Sequence, residues 1–98
     1  MKPYTLQEIR EIVSKLAKQY GVKRIYLFGS YARGDTTDSS DIDLRIDKGN
    51  IKGLQLAGLL LDLEDSLGMQ VDLIPTTSLD QQFLDSIKKD EVLLYEAS

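Results

Sequence analysis

The sequence predicts an α/β domain, and three observations carry that prediction. Segments whose apolar residues recur at helical spacing alternate with short runs whose apolar residues fall at every second position. The short runs are built from Val, Ile, Leu, Tyr and Phe, which suit a half-buried pleated surface. Glycines and polar clusters punctuate the two kinds of segment, with no repeat, low-complexity tract or long linker between them. A chain of 98 residues has material for a single domain, 1–98, with one modest core.

Thr5 followed by Glu8 is the signature of a capping box. Beyond it Ile9, Val13, Leu16 and Tyr20 recur at helical spacing and Gly21 stops the run, which predicts a helix from Leu6 covering one sheet face. Val22 to Phe28 predicts the first strand, with Ile25, Leu27 and Phe28 supplying apolar bulk. Tyr26 alternates with them, so it either packs or lines a cleft. Gly29 and Ser30 then make a sharp turn, Tyr31 to Arg33 a single helical turn, and Gly34 ends it. Asp35 to Ser40 is a polar loop. Its acids, Asp35 and Asp38, are expected to be solvated, because a mobile loop orients ligands poorly.

Asp41 to Ile46 predicts the second strand. Ile42 and Leu44 take its buried side, so Asp41 and Asp43 leave the other, about 6.6 Å apart along the backbone. Arg45 continues their side, as a counter-charge or a substrate contact. After a turn at Asp47 to Asn50, Ile51 to Leu67 predicts a second long helix. Its Leu54, Leu56, Ala57, Leu59, Leu60, Leu61 and Leu63 spread over more than one face. Such a helix is either well buried or presents a stripe to a partner. Gly68 closes it, and Met69 to Ile74 predicts a third strand carrying Asp72 between Val71 and Leu73, ended by Pro75. Ser78 with Gln81 reads as another cap, leading a helix from Leu79 to about Lys89 with Phe83, Leu84 and Ile87 on its apolar side. Val92 to Tyr95 fits a short edge strand or a last helical turn equally well.

Aspartate is disfavoured in strands, and two like charges on one strand face repel, so Asp41 and Asp43 together ask for a cation. Phosphoryl or nucleotidyl transfer is mostly positioning plus neutralisation of charge developing on oxygen. Two divalent ions about 3.5–4 Å apart can clamp the attacking and leaving oxygens. Mg²⁺ takes hard oxygen ligands and keeps waters, so two or three carboxylates suffice. Gly29 permits close backbone approach to phosphate, and turn N–H groups can form an anion-binding nest. Ser30 adds a hydroxyl donor, and Arg33 is either a phosphate contact, whose planar fork matches phosphate oxygens, or a solvated or salt-bridged surface residue.

Gly29-Ser30-Tyr31-Ala32-Arg33-Gly34, followed by Ser40-Asp41-Ile42-Asp43-Leu44, resembles the signature of the DNA polymerase beta-type nucleotidyltransferase superfamily. The short length makes the chain most similar to the minimal nucleotidyltransferases. The resemblance continues into Gln70-Val71-Asp72-Leu73-Ile74, because that superfamily places its third carboxylate on such a strand. It spans Arg24 to Pro75. A lone Gly-Ser or a lone Asp-Ile-Asp is a weak signal; the ordered set is specific.

The resemblance implies a polymerase beta-like fold, with a small mixed β-sheet of three to four strands flanked by helices. The helices would pack on one face, with the carboxylates on the other side or in a cleft. It implies that Asp41, Asp43 and Asp72 hold Mg²⁺, two ions in all, and that Asp72 helps deprotonate the acceptor. Gly29 and Ser30 would cradle the β- and γ-phosphates of ATP, with Arg33 as a further phosphate contact. The implied reaction moves a nucleoside monophosphate, AMP from ATP, to an acceptor hydroxyl. Minimal nucleotidyltransferases are commonly the antitoxin half of a two-gene module, and modify a tyrosine of a helical HEPN-type toxin. Such a partner would explain how so short a chain works without an acceptor-binding domain. The competing reading is a non-catalytic binding antitoxin or adaptor that neutralises a helical partner by contact through the leucine-rich helix.

Composition excludes several other classes. Twelve basic against sixteen acidic residues give a net charge of −4, with no cluster of Lys and Arg, so direct binding to DNA or RNA is not expected. A template-dependent polymerase fails on size and on the missing basic groove. Neither Cys nor His is present, which removes disulfides, thiol nucleophiles, the usual zinc sites and any His general base. The lack of Cys, of a signal-peptide pattern and of an 18-residue apolar run leads to the expectation of a cytoplasmic protein with no membrane span.

Overall fold

The Thr5 side chain accepts the Glu8 N–H at 3.1 Å, and the Glu8 carboxylate accepts the Thr5 N–H at 2.8 Å. This reciprocal cap opens α1, Leu6–Tyr20, in a computed structural model that describes residues 4–37 and 40–97. Then follow β1 (Arg24–Phe28), α2 (Ser30–Arg33), β2 (Ile42–Asp47), α3 (Gly53–Leu67), β3 (Val71–Pro75), α4 (Gln81–Lys88) and β4 (Val92–Glu96). A 3-10 turn, Thr76–Ser78, links β3 to α4. The ambiguous stretch near the end is therefore a strand. Pairing with β1 decided it, since the apolar run Val92-Leu93-Leu94-Tyr95 has no period of its own.

The four strands form one mixed sheet in the order β3-β2-β1-β4. β1 runs antiparallel to both β2 and β4, whereas β2 and β3 are parallel. The parallel pair needs a crossover, and α3 supplies it. Ile25, Leu27, Ile42, Leu44, Ile46 and Val71 all project to one face and are buried there. Against them pack Ile9, Val13 and Ala17 of α1 and Leu59, Leu63 and Leu67 of α3. Truncating any of the large members to Ala is expected to cost about 2–5 kcal/mol.

α1 and α3 take the expected single face, but α4 does not. Phe28 points away from that core, and the Phe83 ring of α4 meets it edge-on, with ring centroids 5.9 Å apart. The start of α4 also differs from expectation. Asp80, not Ser78, is the cap, accepting the Phe83 N–H at 2.7 Å, because Ser78 is taken into the 3-10 turn. α3 is half exposed, as its residue pattern allowed. Leu54 is 88% exposed and Leu61 65%, on the side opposite Leu59 and Leu63. Among the described residues no helix is long and apolar enough to cross a membrane.

Candidate active site

The handover from β1 to α2 occurs at Gly29, whose backbone stands at φ 75°, ψ −154°. Residues with a Cβ are strained there, so glycine is the natural occupant. The Gly29 carbonyl accepts the N–H groups of Ala32 and Arg33, both at 3.1 Å, which turns the chain sharply. The missing side chain matters as much as the dihedral. A Cβ on Gly29 would overlap Asp43 Oδ2 and lie 3.2 Å from Asp43 Cγ. Strand register explains the contact, since Phe28 lies opposite Asp43 across the antiparallel β1–β2 pair.

On its other side β2 pairs with β3, and Asp43 lies level with Asp72. Residues level in adjacent strands share a face, so both carboxyls leave the sheet away from the aliphatic core. Asp72 is near enough to act on Asp43 through hydrogen bonding and charge, and Asp43 is half-buried. Burial, first, pushes the Asp43 carboxyl up to about 6 from its ordinary 3.8. The hydrogen bond to Asp72 and the charges of Asp72 and Asp41 push the same way, while the Arg33 charge opposes them. Two carboxyls in contact do not both ionise cheaply, so they retain a proton to higher pH than either alone.

The residues singled out from the sequence thus fall into three positions. Asp43 lies against Gly29 on one side and level with Asp72 on the other. Asp41, just before β2, and Arg33, at the end of α2, are near enough to act on Asp43 through their charge. Ser30 opens α2 directly after Gly29 and is half-buried. Arg33 also pairs with Asp35, Nε to Oδ2 at 3.1 Å, in an exposed ion pair. Among the described residues no three acidic side chains are already gathered into a metal-binding set; the close contact is the Asp43–Asp72 pair. Asp38, read as a solvated loop acid, lies outside the described residues.

This chemistry fits a hard divalent cation. The donors are carboxylate oxygens carried on two adjacent strands, hard ligands of the kind Mg²⁺ takes. The Asp43 carboxylate occupies the space that a side chain at position 29 would need.

Sequence reasoning left Arg45 between two roles and did not find its partner. Arg45 is 9% exposed and forks onto Glu91, with Nε–Oε2 3.1 Å, Nη2–Oε1 2.8 Å and Nη2–Oε2 2.9 Å. Its guanidinium carbon sits 3.8 Å from the centre of the Tyr26 ring, so Tyr26 is a packing surface for a cation. Glu91 lies 46 residues away in the chain, and no local spacing signals such a pair.

Comparison with known proteins identifies the family. The family described as "Polymerase beta, Nucleotidyltransferase" matches residues 10–98. The chain is 43% identical over 94 residues to "Putative protein adenylyltransferase MJ1379" of Methanocaldococcus jannaschii, covering 88% of this chain and 94% of that one. It is 34% identical over 97 residues to "Protein adenylyltransferase MntA" of Thermococcus cleftensis, covering 94% and 98%. A crystal structure of a toxin-antitoxin with AMP-PNP superposes with a TM-score of 0.74 at 26% identity, covering 95% of this chain and 76% of that chain. With its mixed four-stranded sheet, its glycine bend against a strand carboxylate and a family match over nearly its whole length, the chain belongs to the polymerase beta nucleotidyltransferases.

Proposed function

We propose that the chain transfers AMP from Mg²⁺–ATP to a hydroxyl of a partner protein, a tyrosine of a helical HEPN-type toxin, and so acts as an antitoxin. The observation that carries this reading is the placing of Asp43 against the side-chain-free Gly29 and level with Asp72, on the sheet face opposite the aliphatic core. Relatives named protein adenylyltransferases support AMP as the group and protein as the acceptor. The toxin-antitoxin likeness with AMP-PNP supports the nucleotide and the kind of partner.

Each residue has a task in this reading. Asp41, Asp43 and Asp72 would hold Mg²⁺, two ions, which would neutralise charge on the triphosphate. Gly29 and Ser30 receive the β- and γ-phosphates, with backbone N–H groups and the Ser30 hydroxyl as donors. The Arg33 guanidinium meets the phosphates with its planar fork. Asp72, the most exposed of the close pair, takes the proton from the acceptor hydroxyl. The hydroxyl oxygen attacks the α-phosphorus, and pyrophosphate leaves.

Label position tests the reaction class. ATP labelled at the α-phosphate should mark the partner, whereas ATP labelled at the γ-phosphate should not. An Asp41→Ala/Asp43→Ala variant should transfer nothing from either. Label from γ-ATP on the partner, or none from α-ATP with the wild type, overturns the reading.

A second reading is favoured by the exposure of Leu54 and Leu61 on α3. Here the chain neutralises its helical partner by contact alone. The double Asp variant separates the two, since a contact antitoxin would still block the partner.

A further inference from the structure

Arg45 joins two strands of the sheet to the segments that leave β3 and enter β4. It stands on β2, two residues beyond Asp43 on the same face. Its guanidinium lies on the ring of Tyr26 in β1 and forks onto Glu91 at the entry to β4. Its Nη1 donates to Thr76 Oγ1 at 3.1 Å, and that hydroxyl donates to the Ile46 carbonyl of β2 at 3.3 Å. Thr76 follows directly on Pro75, the last residue of β3.

β3 needs such a tie. It is an edge strand, held by pairing on one side only, and parallel pairing is slightly weaker per residue. Its one acidic residue, Asp72, is placed level with another carboxylate, a pairing that pushes the strands apart once both are ionised. The Arg45–Thr76–Ile46 chain pins the far end of β3 to β2 four residues beyond Asp72. Glu91 and Tyr26 fix the rotamer of Arg45 itself, so the tie is rigid.

We propose that Arg45 is a positioning residue, which through Thr76 and Glu91 holds Asp72 beside Asp43, the pair that would hold a divalent cation. The proposal rests on the metal-binding reading given above for the acidic pair. A purely structural ion pair would behave differently, because a buried pair replaced by apolar side chains of similar size often leaves stability unchanged or raised.

The test is Arg45→Met/Glu91→Leu, with Thr76→Val as a second variant that removes only the hydroxyl bridge. Each is followed by Mg²⁺ titration of the unfolding midpoint in the presence of ATP, and by AMP transfer against Mg²⁺ concentration. The expected result is a folded double variant whose half-saturating Mg²⁺ rises about tenfold, with transfer recovered at high Mg²⁺. Thr76→Val should shift the same midpoint by a smaller factor, and decides the matter if the double variant does not fold. Unchanged Mg²⁺ midpoints in a folded double variant, or in Thr76→Val, overturn the proposal. A wild type that shows no Mg²⁺ response overturns the metal reading itself, which is a separate result.

Discussion

Gly29 and Asp43 lie so close that a methyl group on the glycine would overlap the carboxylate oxygen. The bend and the acid are therefore one unit, joined through the Phe28–Asp43 pairing of β1 and β2. Gly29→Ala must strain φ at 75° and also displace Asp43. The predicted loss is about 2 kcal/mol of stability, read by chemical denaturation, together with loss of AMP transfer. Gly58→Ala serves as the comparison. Its new Cβ would meet only the Tyr20 side chain, nearest at the hydroxyl at 3.1 Å, so a small stability change with full transfer is expected there.

The acidic pair predicts a pH dependence with a definite sign. The Asp43 carboxyl sits near 6 in the folded chain and near 3.8 when unperturbed. The folded state therefore binds the proton more tightly. The stability this group contributes is full below about 4 and is lost as pH rises through about 6. In chelator, the melting temperature should fall between pH 5 and pH 7.5, and Asp43→Asn should flatten that fall. Added Mg²⁺ should stabilise more at the higher pH, where no proton competes for the carboxylates.

Asp72→Asn separates stability from function. The amide keeps the shape of the side chain and removes a like charge level with Asp43. Stability at pH 7.5 should be unchanged or raised by about 0.2–1 kcal/mol, while AMP transfer is lost. Thermal melts and the label assay on the same preparation check both halves.

The outward face of α3 gives a prediction about the partner. Leu54→Glu and Leu61→Glu fall on exposed positions, so each should alter stability by no more than about 0.5 kcal/mol. ATP-dependent stabilisation by Mg²⁺ should persist. Co-purification with the helical partner should weaken, and more so in the double variant, if this face docks it.

Local signals carried most of the fold. The Thr5–Glu8 box, the Gly29–Ser30 bend and the alternation of Asp41 and Asp43 with Ile42 and Leu44 are short-range patterns, and each can be seen in a few consecutive residues. Asp72 was legible because it interrupts an apolar strand. What escaped the sequence depends on distant segments meeting. Glu91 pairs with Arg45 across 46 residues, and Phe83 carries α4 to the face opposite α1 and α3 because Phe28 points there. The Asp80 cap was missed because Ser78 offers an equally good cap residue, and only the 3-10 turn excludes it.

The central claim is that Asp41, Asp43 and Asp72 close on a divalent cation beside the Gly29–Ser30 bend. Anomalous diffraction from crystals grown with Mn²⁺ and AMP-PNP tests it most directly. The account predicts metal peaks at about 2.1–2.2 Å from oxygens of all three aspartates, with the triphosphate against Gly29 and Ser30. Peaks that leave Asp72 unliganded, or a triphosphate bound away from the bend, would contradict it.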